Sequence, residues 1–388
     1  MSDETDREKT IVALIIHSLC FGGAERQVVE MARNLDSSRF DVYIITFSDF
    51  TPLLAENDPL RSKLKIIQSS AKVGPFVLWR LFRLLKAIRV DIAHAFPFDT
   101  EIETRLVARL AGVKVVAGSE RNDNYQINRW RWLIHRMTLP LADAIIANSY
   151  SGAAYHSNLY GQKDDFYAVV RNGVDTNRFN VKPRNTCRSA LRLDTSAIVI
   201  GVFASFKPQK NHGDLFRAMK IVVSENPKVR LLLAGDSLFE KTNRTKAYKS
   251  SLLRLLADCG LSDKTMILGN RTDVELIYPA CDLTVLPSLH EGTPNVVLES
   301  MSCGIPVVLT DVSDNSMLIE DKEEGLVARS GNVSDLAEKI LFLCNSADAR
   351  HRMGTSARKA AVDRLSNEKM GQNLGNVYLD LLNSTSAR

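Results

Sequence analysis

Short apolar runs rich in β-branched residues alternate along this chain with longer stretches whose apolar positions recur every three or four residues. Ile11 to Ile16 reads as a buried strand, and Ala24 to Leu35 as the helix after it. Val42 to Phe47, Asp91 to Ala95, Lys114 to Ala117 and Ala144 to Ala147 are further strand runs. Such alternation predicts a parallel sheet covered by helices on both faces. After Asn172-Gly173 the periodicity stops, and Asp175 to Asn180, followed by Pro183, reads as a linker. A second series then begins, with strand runs Ile198 to Phe203, Val229 to Leu233, Thr265 to Leu268, Leu283 to Leu286 and Pro306 to Leu309. The pattern predicts an α/β chain of two doubly wound, Rossmann-like parallel-sheet domains, residues 1–180 and 181–364. Ligands of such sheets bind beyond the carboxyl ends of the strands. Two sheets facing each other would make a deep cleft there.

A length of 388 residues suits two domains. The net charge of +5 is mildly basic, fitting an anionic substrate or membrane surface, and falls short of a nucleic-acid footprint. No apolar run reaches the ~18 residues a membrane-spanning helix needs. The polar, acidic stretch Met1 to Asp6 is unlike a secretory leader, and the six cysteines form no CxxC pair, so reduced thiols and a cytoplasmic location are expected.

The strongest chemical signal is Pro287 to Glu299, at the carboxyl end of a late strand. Thr293 suits a helix N-cap and Pro294 the first helical position, so the amides of Asn295 and Val296 would open a helix toward a phosphate or sugar hydroxyl. Glu291 lies just outside that helix and Glu299 about two turns inside. Their separation of about 12 Å along one helical segment argues against a hydrolytic carboxylate pair, which sits ~5 to 9.5 Å apart across a single bond. Two glutamates gripping separate hydroxyls of an extended ligand fit better. Lys207 and Lys210 bracket a proline turn after the first strand of the second series, where a lysine can hold a pyrophosphate. Gly22-Gly23 after the first strand lets a ligand approach the backbone, but it is not the GxGxxG dinucleotide fingerprint, which disfavours a nicotinamide dehydrogenase.

Taken together, these segments resemble the family-4 retaining glycosyltransferases of the GT-B fold. The resemblance rests on Gly22-Gly23-Ala24-Glu25, Asn172-Gly173-Val174-Asp175, Lys210-Asn211-His212, and the stretch Gly269 to Val308 with Asp273, Glu291-Gly292, Glu299-Ser300-Met301 and Gly304-Ile305-Pro306. It implies that Lys210 binds the donor pyrophosphate, that Glu291 contacts the donor sugar, and that Thr293, Pro294, Asn295 and Val296 form the turn whose backbone faces sugar and phosphate. Glu299 would hold the ribose, Asn270 and Arg271 would lie near the base, and Gly23 would approach the donor phosphate from the other domain. The co-substrate is a nucleoside-diphosphate sugar, with no further cofactor. In that fold the last helix, within 365–388, crosses back to complete the first domain.

Two positions depart from the family pattern. Ser205 stands where an arginine is frequent, with Lys207 the candidate to replace it, and His94-Ala95-Phe96 keeps only the first histidine of a His-x-His. His94 is therefore read two ways, as catalytic or as a hydrogen-bonded structural histidine. Gly22 and Arg121 are candidate acceptor residues. The chain has no D-x-D, so metal independence is expected. Phe76 to Arg89 reads as an amphipathic helix with Arg80, Arg83, Lys86 and Arg89 on its polar side, and Arg129-Trp130-Arg131-Trp132 adds a second basic aromatic cluster. Either the helix buries its apolar face in the core, or it rests on anionic lipid at the inner face of the plasma membrane. The acceptor is expected to be a glycan or a lipid-linked species of cell-surface polysaccharide or glycoconjugate synthesis. A nucleotide-sugar epimerase of the same fold and a non-catalytic sugar-nucleotide-binding protein are the alternatives.

Overall fold

The computed structural model describes residues 9–67, 74–96, 98–121, 129–236 and 243–386. Met1 to Asp6 and Asn122 lie outside them. Each strand run named above forms a strand: β1 (Thr10–Ile16), β2 (Phe40–Thr46), β4 (Ile92–Phe96), β5 (Val115–Glu120) and β6 (Ala144–Ala147), then β8 (Ile198–Phe203), β9 (Val229–Ala234), β10 (Thr265–Gly269), β11 (Leu283–Leu286) and β12 (Val307–Thr310). Three short strands add to these: β3 (Leu64–Ile66), β7 (Tyr167–Val169) and β13 (Gly325–Ala328). They form two all-parallel sheets, ordered β3-β2-β1-β4-β5-β6-β7 and β10-β9-β8-β11-β12-β13. Both orders reverse beside the first strand, between β1 and β4 and between β8 and β11. These are the switch points at which doubly wound sheets bind ligands.

The chain divides into unit 1, Met1–Gly173 with Asn367–Arg388, and unit 2, Val174–Ser366. In unit 1 the alternation of β1 sends Val12, Leu14 and Ile16 to one face, with Met31, Leu374 and Tyr378, and Ala13 and Ile15 to the other, with Ile45, Leu81 and Leu85. The Asn367–Ser386 helix is therefore part of the first core. Burying a side chain such as Leu374 stabilises by about 1.5–3 kcal/mol. Gly371 permits the approach, since a Cβ there would lie 2.0 Å from the Asn34 carbonyl oxygen. In unit 2, Ile200 and Val202 pack with Phe216, Met219 and Ile340, while Val199 and Leu232 face Leu298, Met301 and Ala361.

One boundary needs correcting. Residues 174–180 do not belong with the first domain as an irregular linker. Val174 bridges Ser366 and donates to the Leu365 carbonyl at 3.0 Å, and Phe179 is buried in the unit 2 core against Tyr278. Asp175 Oδ1 accepts from the amides of Asn177 at 3.0 Å and Arg178 at 2.9 Å, which makes this stretch an ordered turn.

Candidate functional site

In unit 2 the loop after β8 is shaped by backbone constraints. Pro208 opens a short 3-10 turn, Pro208–Lys210, and Asn211 takes a left-handed conformation at φ 47° before the His212–Glu225 helix. Gly235, at φ 135°, lets the end of β9 pass close by, because a Cβ there would sit 2.3 Å from the Ala204 oxygen. The loop after β11 is tied to the β8 loop. The Leu289 amide donates to Gln209 O at 2.9 Å, and Gln209 Nε2 donates to His290 O at 2.8 Å. Thr310 Oγ1 holds Ser288 O at 2.6 Å, and the Glu291 amide donates to Ser313 Oγ at 3.1 Å. None of Gln209, Thr310, Ser313 or Gly235 stood out in the sequence. Of these, only the glycine that closes β9 carried a readable signal.

Between the two loops, Lys210 Nζ lies 2.5 Å from Glu291 Oε1, with side-chain exposures of 19% and 8%. The sheet switch point thus gathers a cation and a carboxylate. His212, buried beside them, has its pKa lowered to about 4, by burial first and by the Lys210 charge second. The helix expected from Pro294 begins instead at Asn295, running Asn295–Ser302. Pro294 is its N-cap at φ −74°, ψ 113°, so neither Thr293 nor Pro294 stands where the sequence reading put it. Proline's fixed φ suits a cap as well as a first turn, and with no side-chain cap the Asn295 and Val296 amides open the helix.

Glu299 is buried and accepts from the Tyr278 hydroxyl at 2.8 Å, and Tyr278 is stacked on Phe203 at 3.7 Å. Tyr278 is thus a further residue of this wall that the sequence reading missed. Asn270 and Arg271 follow β10 on the surface, where Arg271 pairs with Asp273 through two bonds of 2.7 and 2.5 Å. Ser205 sits on the β8 loop, its carbonyl accepting from the Lys207 amide at 2.8 Å, and the Lys207 side chain is exposed.

In unit 1, Gly22 caps the Gly23–Asn34 helix after β1. The Glu25 carboxylate folds back over it, 1.9 Å from where a Gly22 Cβ would be, and Cys20 Sγ donates to it at 3.2 Å. Arg121 donates to Ser119 Oγ at 2.8 Å and Asn172 Oδ1 at 3.0 Å, and its guanidinium lies over the Phe96 ring. The surroundings of His94 fit the structural one of its two readings. It is fully buried on β4, its Nδ1 is 2.7 Å from the Tyr378 hydroxyl, and burial holds its pKa well below the usual imidazole range. A buried histidine held neutral against the last helix is what a structural role requires.

The Pro75–Ala87 helix buries its apolar face in the core, the first of its two readings, and leaves an aromatic pair exposed on its other side. Val77, Leu81 and Leu85 are buried, while Phe76 and Trp79 stack on each other at 66% and 50% exposure, with Arg83 over the Trp79 ring. On the Arg129–Thr138 helix, Trp130 and Met137 are exposed at 73% and 71%. No described helix is long and apolar enough to cross a membrane.

Comparison with known proteins adds to this geometry. The glycosyl transferases group 1 model matches residues 183–360, and the Glycosyltransferase Family 4 model matches residues 21–178. The chain is 23% identical over 342 residues to an Escherichia coli protein named UDP-Gal:alpha-D-GlcNAc-diphosphoundecaprenol alpha-1,3-galactosyltransferase, covering 86% of this chain and 84% of that one. It is 28% identical over 252 residues to the D-inositol 3-phosphate glycosyltransferase of Nocardia farcinica, covering 64% of this chain and 54% of the relative. In fold it is similar to Anabaena HepE, solved in complex with UDP, at a TM-score of 0.83 and 20% identity, over 96% of this chain and 100% of that one. A second structure of HepE holds UDP-glucose and superposes with a TM-score of 0.81.

Proposed function

This chain belongs to the family-4, group 1 glycosyltransferases of the GT-B fold, and from that premise we propose the reaction it performs. It moves a hexose-type sugar from a nucleoside-diphosphate sugar to a glycan or lipid-linked acceptor, with retention of anomeric configuration, in cell-surface polysaccharide or glycoconjugate synthesis. The observation that carries this reading is the meeting of Lys210 and Glu291 at the β8–β11 switch point, beside a helix opened by Asn295 and Val296.

Each group has a task set by its chemistry. The Lys210 ammonium balances the charge that grows on the nucleoside diphosphate as the glycosidic bond breaks. The amides of Asn295 and Val296 add donors, and the helix dipole favours the same charge. Glu291 accepts hydrogen bonds from the sugar hydroxyls, and Glu299, oriented by Tyr278, accepts from the ribose. Asn270 and Arg271 border the base, with Ser205, Lys207, Thr293 and Pro294 shaping the turns around the donor. Gly23 approaches the donor phosphate, and Gly22 and Arg121 serve the acceptor. With a lysine and a helix start at the phosphates, no metal ion is needed to balance charge.

The acceptor class is taken from the E. coli relative, whose name specifies a diphosphoundecaprenol-linked sugar. A lipid-linked acceptor would bring the enzyme to the inner face of the plasma membrane. There the exposed Phe76, Trp79 and Trp130 with their neighbouring arginines suit anionic lipid.

The test is an incubation of the purified protein with a panel of sugar nucleotides and a lipid-diphosphate sugar acceptor. Nucleoside diphosphate and a glycosylated product with the donor's anomeric configuration are expected together. Conversion of donor without acceptor would identify an epimerase, and binding without release of diphosphate a non-catalytic protein; either result ends this reading.

A further inference from the structure

A cavity of about 760 Å³ opens on unit 2 and shares no lining residue with the loops after β8 and β11. Lys182, Arg184, Arg350, His351 and Arg358 line it, and no aspartate or glutamate is among its described lining residues. The cations are poorly balanced. Arg350 donates to the carbonyls of Leu343 at 2.6 Å and Cys344 at 2.9 Å, Arg358 to those of Thr176, Phe179 and Ser302, and Lys182 to that of Glu275 at 3.1 Å. These acceptors fix the side chains in place without neutralising them. The carboxylate behind the wall, Asp282, is buried and shared by Arg184 at 2.8 Å, Arg188 at 2.5 Å and, more distantly, Arg350 at 3.9 Å.

Two further features reinforce the positive field. The Ala347–Arg364 helix begins at the cavity, bringing the positive end of its dipole alongside Arg350 and His351. Its first-turn acid, Asp348, is not among the lining residues. Pro183, Pro279, Ile305 and Pro306 supply apolar wall between the cations. One buried carboxylate shared among three arginines, with Arg358 held by carbonyls alone, leaves an excess of fixed guanidinium charge suited to a multiply charged anion, and phosphate is the group whose geometry it matches best.

We infer that this cavity is a second anion site, taking a ligand that carries a phosphate group on an apolar body. That ligand is either a soluble phosphorylated molecule or a phospholipid headgroup. The site lies outside the residues assigned to the donor, so the inference stands or falls apart from the proposed reaction.

The experiment uses the Lys210→Ala protein, which removes the cation proposed for the donor diphosphate. Inorganic pyrophosphate is titrated into it by calorimetry at low salt. Vesicles of phosphatidylcholine with and without phosphatidylglycerol are tested by co-sedimentation. The same measurements are repeated after adding Lys182→Gln, Arg184→Gln and His351→Gln, and circular dichroism monitors the fold. Pyrophosphate binding that survives Lys210→Ala and weakens at least about tenfold in the added variant supports a soluble ligand. Phosphatidylglycerol-dependent sedimentation that falls likewise, and is competed by pyrophosphate, assigns the phosphate to a lipid. Absence of binding to either probe, or binding indifferent to the three substitutions, overturns the inference.

Discussion

Lys210 Nζ stands 2.5 Å from Glu291 Oε1, bridging the loops that follow β8 and β11. Both groups are largely withdrawn from water, so their attraction is weakly screened and neither is cheaply left alone. In the proposed reaction, an arriving diphosphate takes over the ammonium and frees the carboxylate for the sugar hydroxyls.

Removing the cation tests that exchange from one side. Lys210→Ala should remain folded, lose roughly 1–3 kcal/mol of stability through the unpaired Glu291, and transfer sugar roughly 10²–10³ times more slowly. The checks are a melting curve and initial rates of nucleoside diphosphate release. Full activity in this variant would falsify the assignment of the phosphate site.

Removing the carboxylate's charge tests it from the other. In Glu291→Gln the lysine no longer has an anionic competitor, so nucleoside diphosphate alone should bind about tenfold more tightly while transfer falls by roughly 10². Calorimetry and steady-state rates separate the two effects. Weaker nucleotide binding would show that Glu291 does not compete for Lys210.

Gly235 gives a prediction about the scaffold. Gly235→Ala places a methyl group 2.3 Å from the Ala204 oxygen in a backbone conformation at φ 135° that side chains avoid. A loss of about 3 kcal/mol or more is expected in urea unfolding. A loss under 1 kcal/mol (roughly) would mean the two loops part without strain.

Acid should destabilise the protein through its buried histidines. His212 is neutral in the fold, with its pKa lowered from 6.5 to about 4 by burial and then by Lys210. Between those values the unfolded chain binds a proton that the native state refuses, so stability falls as pH drops from 6.5 toward 4. The loss attributable to His212 is roughly 3 to 3.5 kcal/mol, complete below its folded pKa. Thermal melts of His212→Asn should show a flatter pH slope than the parent over this range; an unchanged slope would count against a neutral buried His212.

The exposed tryptophans carry the membrane prediction. Replacing Trp79 and Trp130 with serine should lower melting little, since Trp79 is half exposed and Trp130 mostly so, and should reduce flotation with anionic liposomes at low salt several-fold. Equal flotation of both proteins, or none of the parent, removes this surface from the account.

The strands were legible because a buried parallel strand needs an uninterrupted apolar run, and Ile11 to Ile16 or Ile198 to Phe203 cannot be read as much else. Leu64–Ile66, Tyr167–Val169 and Gly325–Ala328 were missed because they are short edge strands, which lack the continuous apolar run of a strand buried on both faces. The chemistry of the Pro287 to Glu299 turn was visible in its residue types, but its helix start was set one residue early, since proline serves at either position. His94 is read two ways because a histidine on a strand looks the same whether it faces a ligand or Tyr378. Its neighbour comes from a helix 284 residues further along, which no local pattern encodes. Segment 174–180 looked like a linker because Asp175 and Asn177 are turn formers, although Phe179 anchors it in a core.

The bridge between Val174 and Ser366 sets the chain's entry to unit 2 beside its exit. Unit 2 is consequently one uninterrupted stretch, whereas unit 1 is assembled from two. As the ribosome works along the message, everything unit 2 requires emerges before the Asn367–Ser386 helix does. Until that helix arrives, the face of the first sheet around Leu14 and Phe40 lacks the cover of Leu374 and Tyr378. The half that is translated second is thus able to finish folding first, leaving the earlier half exposed to chaperones and proteases for longer.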